Sequence, residues 1–420
     1  MDSIMQRIRY KTFQLTCLLL SLFALPVYAQ ALTLPEALIL AEQHSPALRV
    51  ASGQQHSSVA ALDTARAFPN PEIEYGSGRS HLMPTTPQPG RNRLLAFSQP
   101  LELPSVRGAR QRAAEAGIVS GSALLDDARL NVYAQVKQAF LDIQRRESES
   151  QLAEESRALL GQIHSRVKLR VEVGEASRYE LIKATAEMLA AENVAQSAEI
   201  KVTQAKDRLR ALLGTPLGDT FDITPAPLLP EDLPAIASLR EELLTHQPLL
   251  KAAVAETQRA TAKLEQERSL RIPQPTLKWS AEQHPDVNLW RIGVALPLPL
   301  WDRRAGPIGE AQANLERAEA EQERIRFNVL NELDQAYGRY QIAQRQLYIF
   351  ETGLMQGAET ALKVAEAAYR YGERGILDYL DAQRVVRSTR MDYLNARYEL
   401  QFALVDIERL RGTLLAGEHP

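Results

Sequence analysis

The chain has 420 residues, of which 45% are hydrophobic and 24% are charged, and its formal net charge is −3. That length favours two domains or one large repetitive architecture, and the composition excludes a disordered chain. The near-neutral charge excludes the strongly basic surface typical of nucleic-acid binding. Aromatic residues make up only 6% while alanine is abundant, which favours helices over a β-rich fold. Because Cys17 is the single cysteine, a disulfide framework and a thiolate zinc site are excluded.

The segment 1–29 has the layout of an export signal peptide. Basic residues at positions 7, 9 and 11 precede a short apolar run, Leu15–Leu25, and Ala29 closes a small-residue cleavage site. The run is shorter than the ~20 residues that a membrane-spanning helix needs, which argues against the alternative of a retained N-terminal anchor. We therefore expect an exported chain that begins near Gln30, without lipid attachment at Cys17.

The chain contains an internal duplication. Similar short segments recur in the same order and 197 to 204 residues apart, as in the pairs His44 with His246, Pro69 with Pro273, Gln138 with Gln335, Gly174 with Gly372, and Leu213 with Arg411. Such constant spacing indicates two structural repeats, 30–217 and 235–413. A proline-rich, acidic stretch at 218–234 has the composition of a linker, and 414–420 is a C-terminal tail.

Each repeat contains one pair of short extended segments. The pair lies at about 71–101 in the first repeat and at about 274–297 in the second. Apolar and polar residues alternate along them: Leu277, Trp279 and Ala281 point to one side, and the residues between them are polar. Each segment has about the 10 residues of a membrane-spanning β-strand with one lipid-facing side. For any single pair, a soluble hairpin packed on a core is the alternative. Two equivalent hairpins behind an export signal favour the membrane.

A long helix follows each hairpin. Hydrophobic and small residues recur with alternating spacings of four and three in the second repeat, at Leu333, Ala336, Tyr340, Ala343, Leu347, Phe350, Leu354, Gly357, Ala361, Val364, Ala368 and Tyr371. This heptad seam predicts coiled-coil packing, and the first repeat holds the same register less regularly. No proline occurs between Pro104 and Gly174 or between Pro307 and Gly372. Each helix would therefore extend roughly 100 Å.

Shorter helices complete each repeat. One helical segment opens it, at Leu34–Ala65 and Leu239–Leu270, and another follows each glycine turn. Laid end to end, the two short helices would cover one long helix. Four strands cannot close a sheet, and open edges find no hydrogen-bond partners in lipid, so a membrane-spanning form has to oligomerise. The predicted fold is mainly α with a small β part.

Four segments resemble a known family. Arg170–Gly174 and Tyr369–Gly372 are similar to its two turn motifs, and Ile376–Gln383 is the most specific match. With the duplicated layout, these segments identify the chain as a member of the TolC-type outer-membrane efflux channels. Phe97–Pro104 is most similar to the heavy-metal (CzcC-like) branch.

The resemblance implies a homotrimer in the cell outer membrane, with a periplasmic extension. Three protomers would form a twelve-stranded outer-membrane β-barrel, continued by a long periplasmic α-helical coiled-coil barrel. The implied function is a passive exit duct that works with a periplasmic adaptor (membrane fusion) protein and an inner-membrane pump of the resistance-nodulation-division (RND) type. Heavy-metal cations are the favoured cargo, without any bound cofactor. Drug efflux or type I secretion stays open, because the pump and adaptor select the cargo.

The resemblance also assigns a periplasmic gate. Asp378 and Asp381 are three residues apart on one helix face, and they match lumen-facing aspartates of the family. Three copies of each would form two carboxylate rings that select cations. From the residues alone, helix capping is the competing interpretation of Asp378, because it stands in the first turn after Gly375.

The same correspondence places a latch around the two turns, at about 170–180 and about 370–380, whose glycines Gly174 and Gly372 would dock the adaptor. The latch residues are Tyr369 and Arg374, with Glu180 and Tyr179 of the other turn as partners. The spacing Ser177-x-x-Glu180 is also that of a helix-capping box.

The sequence contains no enzyme site. The seven histidines do not pair at helical spacing, which argues against a metal site on a helix, and no phosphate-binding loop or nucleophile–base set is present. The remaining alternative is a periplasmic coiled-coil adaptor or structural protein. It would share the export signal and the heptads, but not the paired hairpins.

Overall fold

The computed structural model describes residues 31–80, 90–214, 217, 221–228 and 232–412. The predicted signal peptide, the tail and part of the linker lie outside these residues. In chain order the elements are α1 (Leu34–His44), α2 (Pro46–Arg66), β1 (Glu72–Ser80), β2 (Gly90–Pro100), α3 (Pro104–Glu172), α4 (Arg178–Leu213), α5 (Ile236–His246), α6 (Pro248–Ser269), β3 (Thr276–Gln283), β4 (Asn288–Ala295), α7 (Ala305–Ile349), a π-helical turn (Phe350–Leu354), α8 (Met355–Arg370) and α9 (Ile376–Arg411). The predicted fold class, mainly α with a small β part, is confirmed.

The segment that opens each repeat was predicted as one helix, and this is wrong because it is two. The break comes at Ser45 before Pro46 and at Gln247 before Pro248, where the backbone is extended with ψ of 124° and 117°. Proline has no N–H for the helical hydrogen bond and disfavours helical backbone in the preceding residue. Each proline then starts the next helix, at a position where its missing N–H costs nothing.

The predicted long helix is continuous in the first repeat, where α3 runs for 69 residues. In the second repeat it is interrupted, because five residues, Phe350–Leu354, form a π-helical turn between α7 and α8. A π-turn places one extra residue in the helix and so rotates everything that follows. The heptad seam is therefore correct only as far as the turn.

Burial along α8 shows the size of this shift. The seam residues Leu333 and Leu347 are buried in α7, as predicted. Beyond the π-turn, Val364 and Tyr371 are 64% and 79% exposed, and the predicted seam is wrong there. The less exposed side instead lies one residue later at every step: Ala358 is buried, and Met355, Leu362, Ala365 and Tyr369 are half-buried.

The short helices lie end to end along the long ones, as expected. Helices α2 and α4 pack along successive parts of α3, and α6 and α9 pack along α7, with α9 continuing along α8. Helix α3 also contacts α6 and α9, so the two repeats share one body. Among the described residues, no helix is both long and apolar enough to cross a bilayer.

The four strands form one antiparallel sheet in the order β1-β2-β3-β4. Its register aligns the apolar residues of all four strands in rows on one face: Ile73, Phe97, Trp279 and Ile292 in one row, and Tyr75, Leu95, Ala281 and Trp290 in the next. The predicted alternation is confirmed. This face is not covered by the rest of the chain, since Ile73 and Ile292 are 74% and 68% exposed. Within the described part of the chain, the outer edges of β1 and β4 have no strand partner.

The duplication extends to the caps of the return helices. Gly214 caps the end of α4 and Gly412 caps the end of α9, and both are left-handed, with φ of 66° and 71°. Each glycine lies against the carbonyl of the residue that ends the opening helix, His44 or His246. At Gly214 a β-carbon would lie 2.6 Å from the His44 carbonyl oxygen, which is well inside van der Waals contact.

Replacing Gly214 with alanine is expected to destabilise the protein by roughly 2 kcal/mol, since alanine is strained in left-handed backbone and would clash with His44. Urea unfolding followed by circular dichroism measures this. The matched control is Gly53→Ala in α2, where a β-carbon meets open space and is expected to stabilise by about 0.5–1 kcal/mol. Equal unfolding free energies for Gly214→Ala and the unmodified protein would contradict this role of the cap.

Candidate functional site

The two predicted tip turns are built by the same hydrogen bonds. In the first, the amides of Glu175 and Ala176 donate to the Arg170 carbonyl at 2.8 and 3.2 Å. In the second, the amides of Glu373 and Arg374 donate to the Ala368 carbonyl at 2.9 and 3.3 Å. Both turns close through a left-handed glycine, with φ of 80° and 76°, which is the standard way to end a helix sharply.

The return helices start differently after the two turns. The Ser177 hydroxyl accepts the Glu180 amide at 3.3 Å, so this residue caps α4. Helix α9 begins after Gly375 without a side-chain cap, and Asp378 lies in its first turn. The carboxylate of Asp378 still benefits from the positive end of the helix dipole.

The predicted gate residues Asp378 and Asp381 share the exposed face of α9. Their side chains are 52% and 65% exposed, whereas Ile376, Tyr379 and Leu380 on the opposite side are buried. Each carboxylate has an arginine on its own hairpin. Arg374 donates to Asp378 at 3.4 Å, and Arg384 donates to Asp381 at 2.6 Å.

The chain does not assemble a metal site from these carboxylates. In the ranges that the structure describes, no three His, Cys, Asp or Glu side chains lie together as metal ligands would. A ring of gate carboxylates needs further copies of the chain.

The four latch residues have separate surroundings in a single chain. Tyr179 is 57% exposed, Glu180 is half-buried, and the guanidinium of Arg374 is occupied by Asp378. Tyr369 is half-buried and stacks on Tyr379 of the same hairpin, with ring centroids 5.9 Å apart and planes at 4°. Within the described part of the chain, no ion pair joins Arg374 to Glu180.

Within one chain, a residue without a predicted role joins the two hairpins. The guanidinium of Arg170 lies over the Tyr369 ring, 5.3 Å from its centroid, and its Nε is 3.8 Å from Glu175. Tyr369 first, and then Glu175 and Glu180, raise the pKa of Arg170 above its ordinary value, so the side chain stays charged. Cation–π contacts of this kind contribute about 0.5–1 kcal/mol at exposed sites.

An apolar cluster and an ion pair support the same junction. Arg387 of α9 pairs with Glu187 of α4 at 3.7 Å. The buried residues that join α3 and α4 to α9 are Leu160, Ile163, Val167, Ala184, Ala191, Ile376, Tyr379 and Leu380. The heptad seam ends at Tyr371, so it does not predict the part of this cluster that α9 contributes. Residue spacing within the turn motif of Arg170 does not predict its contact with Tyr369 either.

The profile of the outer membrane efflux protein family matches residues 37–215 and 239–413. The chain belongs to the outer membrane efflux protein family. It is an outer-membrane efflux channel protein, so the alternative of a periplasmic adaptor or structural protein is wrong.

Two relatives come from metal-resistance systems. The chain is 28% identical over 392 residues to the cobalt-zinc-cadmium resistance protein CzcC of Cupriavidus metallidurans, covering 91% of each chain. It is 24% identical over 313 residues to the nickel-cobalt-cadmium resistance protein NccC of Alcaligenes xylosoxydans xylosoxydans, covering 71% of this chain and 68% of that protein. These similarities confirm the resemblance to the heavy-metal branch.

A solved structure shows the same fold. The outer membrane protein VceC of Vibrio cholerae aligns with a TM-score of 0.78 at 19% identity, covering 90% of this chain and 96% of that chain.

Arg170→Ala is expected to loosen the junction between the hairpins. Loss of about 1 kcal/mol from the closed arrangement would raise the open population about fivefold. Single-channel recording in planar bilayers measures the resting open probability. Arg170→Lys keeps the charge and is expected to retain part of the effect, and Arg178→Ala in the same turn is the matched control. Unchanged resting open probability in Arg170→Ala would rule out the junction as a closing contact.

Proposed function

We propose that the chain forms a homotrimeric, passive exit duct for heavy-metal cations, supplied by an inner-membrane RND pump through a periplasmic adaptor (membrane fusion) protein. The observation that carries the proposal is the open four-stranded sheet, with its uncovered apolar face, at the end of the long helical body. Such a sheet suits lipid on one side and a lumen on the other.

Oligomerisation of the sheet follows from backbone hydrogen bonding. In lipid the edge amides and carbonyls of β1 and β4 need partners, which a second copy supplies when its β4 pairs with β1. Single-chain barrels begin at eight strands, so two copies are the minimum and three copies give twelve strands. The resemblance to TolC-type channels favours three.

In the proposed gate, Arg374 has two alternative carboxylate partners, Glu180 and Asp378. In the closed trimer, Arg374 would reach Glu180 of a neighbouring copy, while Tyr369 contacts Tyr179 or Glu180. The Asp378 carboxylates would then lie unpaired around the axis and attract cations. When the latch opens, Arg374 would return to Asp378, the partner it has in the single chain at 3.4 Å. Gly174 and Gly372 lie in the two turns onto which the adaptor would dock.

The carboxylate rings predict divalent-cation block of the channel. The double variant Asp378→Asn/Asp381→Asn is expected to need about tenfold more divalent cation for half-block, because two rings of charge are removed. Block is measured as the concentration dependence of single-channel conductance. Asp392→Asn, an exposed carboxylate further along α9, is the control and should leave block unchanged. Equal half-block concentrations for the double variant and the unmodified channel would exclude the rings as the cation site.

The cargo is supported by the names of two relatives, which report resistance to cobalt, zinc, cadmium and nickel. A strain that lacks the gene is expected to become sensitive to these cations while its sensitivity to drugs stays unchanged. Growth inhibition by each cation and by a drug panel, with the gene restored as control, measures both. Drug sensitivity without metal sensitivity would overturn the metal proposal in favour of the drug-efflux alternative.

A further inference from the structure

The uncovered face of the sheet changes from apolar to basic towards the hairpin end of β1 and β2. Its apolar rows end at the row that contains Tyr75 and Trp290. One step further the cross-strand pair is Ser77 with Arg93, and the next pair is Arg79 with Arg91. Tyrosine and tryptophan concentrate at membrane interfaces, so the arginines follow at headgroup depth. Successive residues on one face are about 7 Å apart, which sets the distance between these rows.

The three arginines surround a shallow recess. Its volume is about 480 Å³, and it is lined by Tyr75, Ser77, Gly78, Arg79, Arg91 and Arg93. Arg79, Arg91 and Arg93 are all exposed and share the face of the apolar rows. A planar guanidinium donates paired hydrogen bonds that fit phosphate, and three of them converge here.

No ion pair in the described part of the chain neutralises the cluster. Arg79, Arg91 and Arg93 form no ion pair there, whereas most of the arginines of the helical body do. Across the sheet, Arg93 pairs with Gln283 of β3, which in turn pairs with Asn288 of β4, and both of these residues are neutral. The nine residues of sequence between β1 and β2 contain no aspartate or glutamate. Like charges directly opposite on neighbouring strands destabilise a sheet, so an anion from outside the chain would stabilise it.

We propose that Arg79, Arg91 and Arg93 bind the phosphate groups of an outer-leaflet lipid, the bis-phosphorylated lipid A headgroup. This rests on the membrane-spanning sheet of the proposed function, in which the hairpin ends point away from the periplasmic helices. The apolar rows contact the acyl chains of the same lipid, and Tyr75 marks the boundary between chains and headgroup. The site would fix the depth of the sheet in the outer leaflet.

The test measures binding of lipid A to the full-length protein purified in detergent. Native mass spectrometry compares bis-phosphorylated lipid A with lipid A from which both phosphates have been removed. The unmodified protein is expected to bind the phosphorylated form about tenfold more tightly. The triple variant Arg79→Gln/Arg91→Gln/Arg93→Gln is expected to lose this preference. The control Arg271→Gln/Lys278→Gln/Arg303→Gln removes the same charge outside the cluster and is expected to keep it.

Several outcomes would overturn the inference. Equal binding of the two lipids by the unmodified protein would do so without any variant, and so would an unchanged preference in the triple variant. Displacement of lipid A by millimolar inorganic phosphate would show an anion site with no lipid specificity. Conductance of the same preparations in planar bilayers keeps the two proposals apart. A conducting channel without phosphate preference contradicts only the lipid site, whereas a chain that neither inserts nor conducts contradicts the proposed function.

Discussion

The edges of one small sheet constrain the whole molecule. β1 has nine residues and β4 has eight, and each presents a row of backbone N–H and C=O groups without a strand partner among the described residues. In hydrocarbon every such group costs several kcal/mol, so an open edge costs on the order of tens of kcal/mol. A folded domain is stable by only about 5–15 kcal/mol. A lipid-facing sheet of this kind is therefore stable only when other copies pair with both edges.

The second long helix buries a different side before and after its π-turn. It changes phase abruptly at Phe350–Leu354, where the π-turn adds one residue. After that turn, Tyr369 faces its own hairpin partner Tyr379, while Val364 and Tyr371 face outward. The outward apolar residues would be covered by a neighbouring copy in the proposed trimer. In that trimer, the π-turn would separate contacts within a chain from those between chains.

Much of this architecture could be predicted from the sequence, because it depends on local periodicity. The alternation around Trp279 gave the lipid-type face, and the seam was right as far as Leu347. The π-turn could not be predicted, since no proline marks it and the heptad continues through it in the sequence. Arg170 over Tyr369 joins residues almost two hundred positions apart, and only the packed hairpins bring them together. The proposed gate roles of Asp378 and Asp381 come from the family resemblance, since the residues alone favour helix capping for Asp378.

The mass of the purified protein tests the central constraint most directly. The full-length mature chain, extracted from outer membranes, can be measured by native mass spectrometry or by light scattering corrected for detergent. Edge pairing in a closed barrel predicts more than one chain per particle, three if the barrel has the twelve strands of TolC-type channels, and a need for detergent to keep the particle in solution. A single chain that stays folded and dissolved in aqueous buffer without detergent would contradict the account.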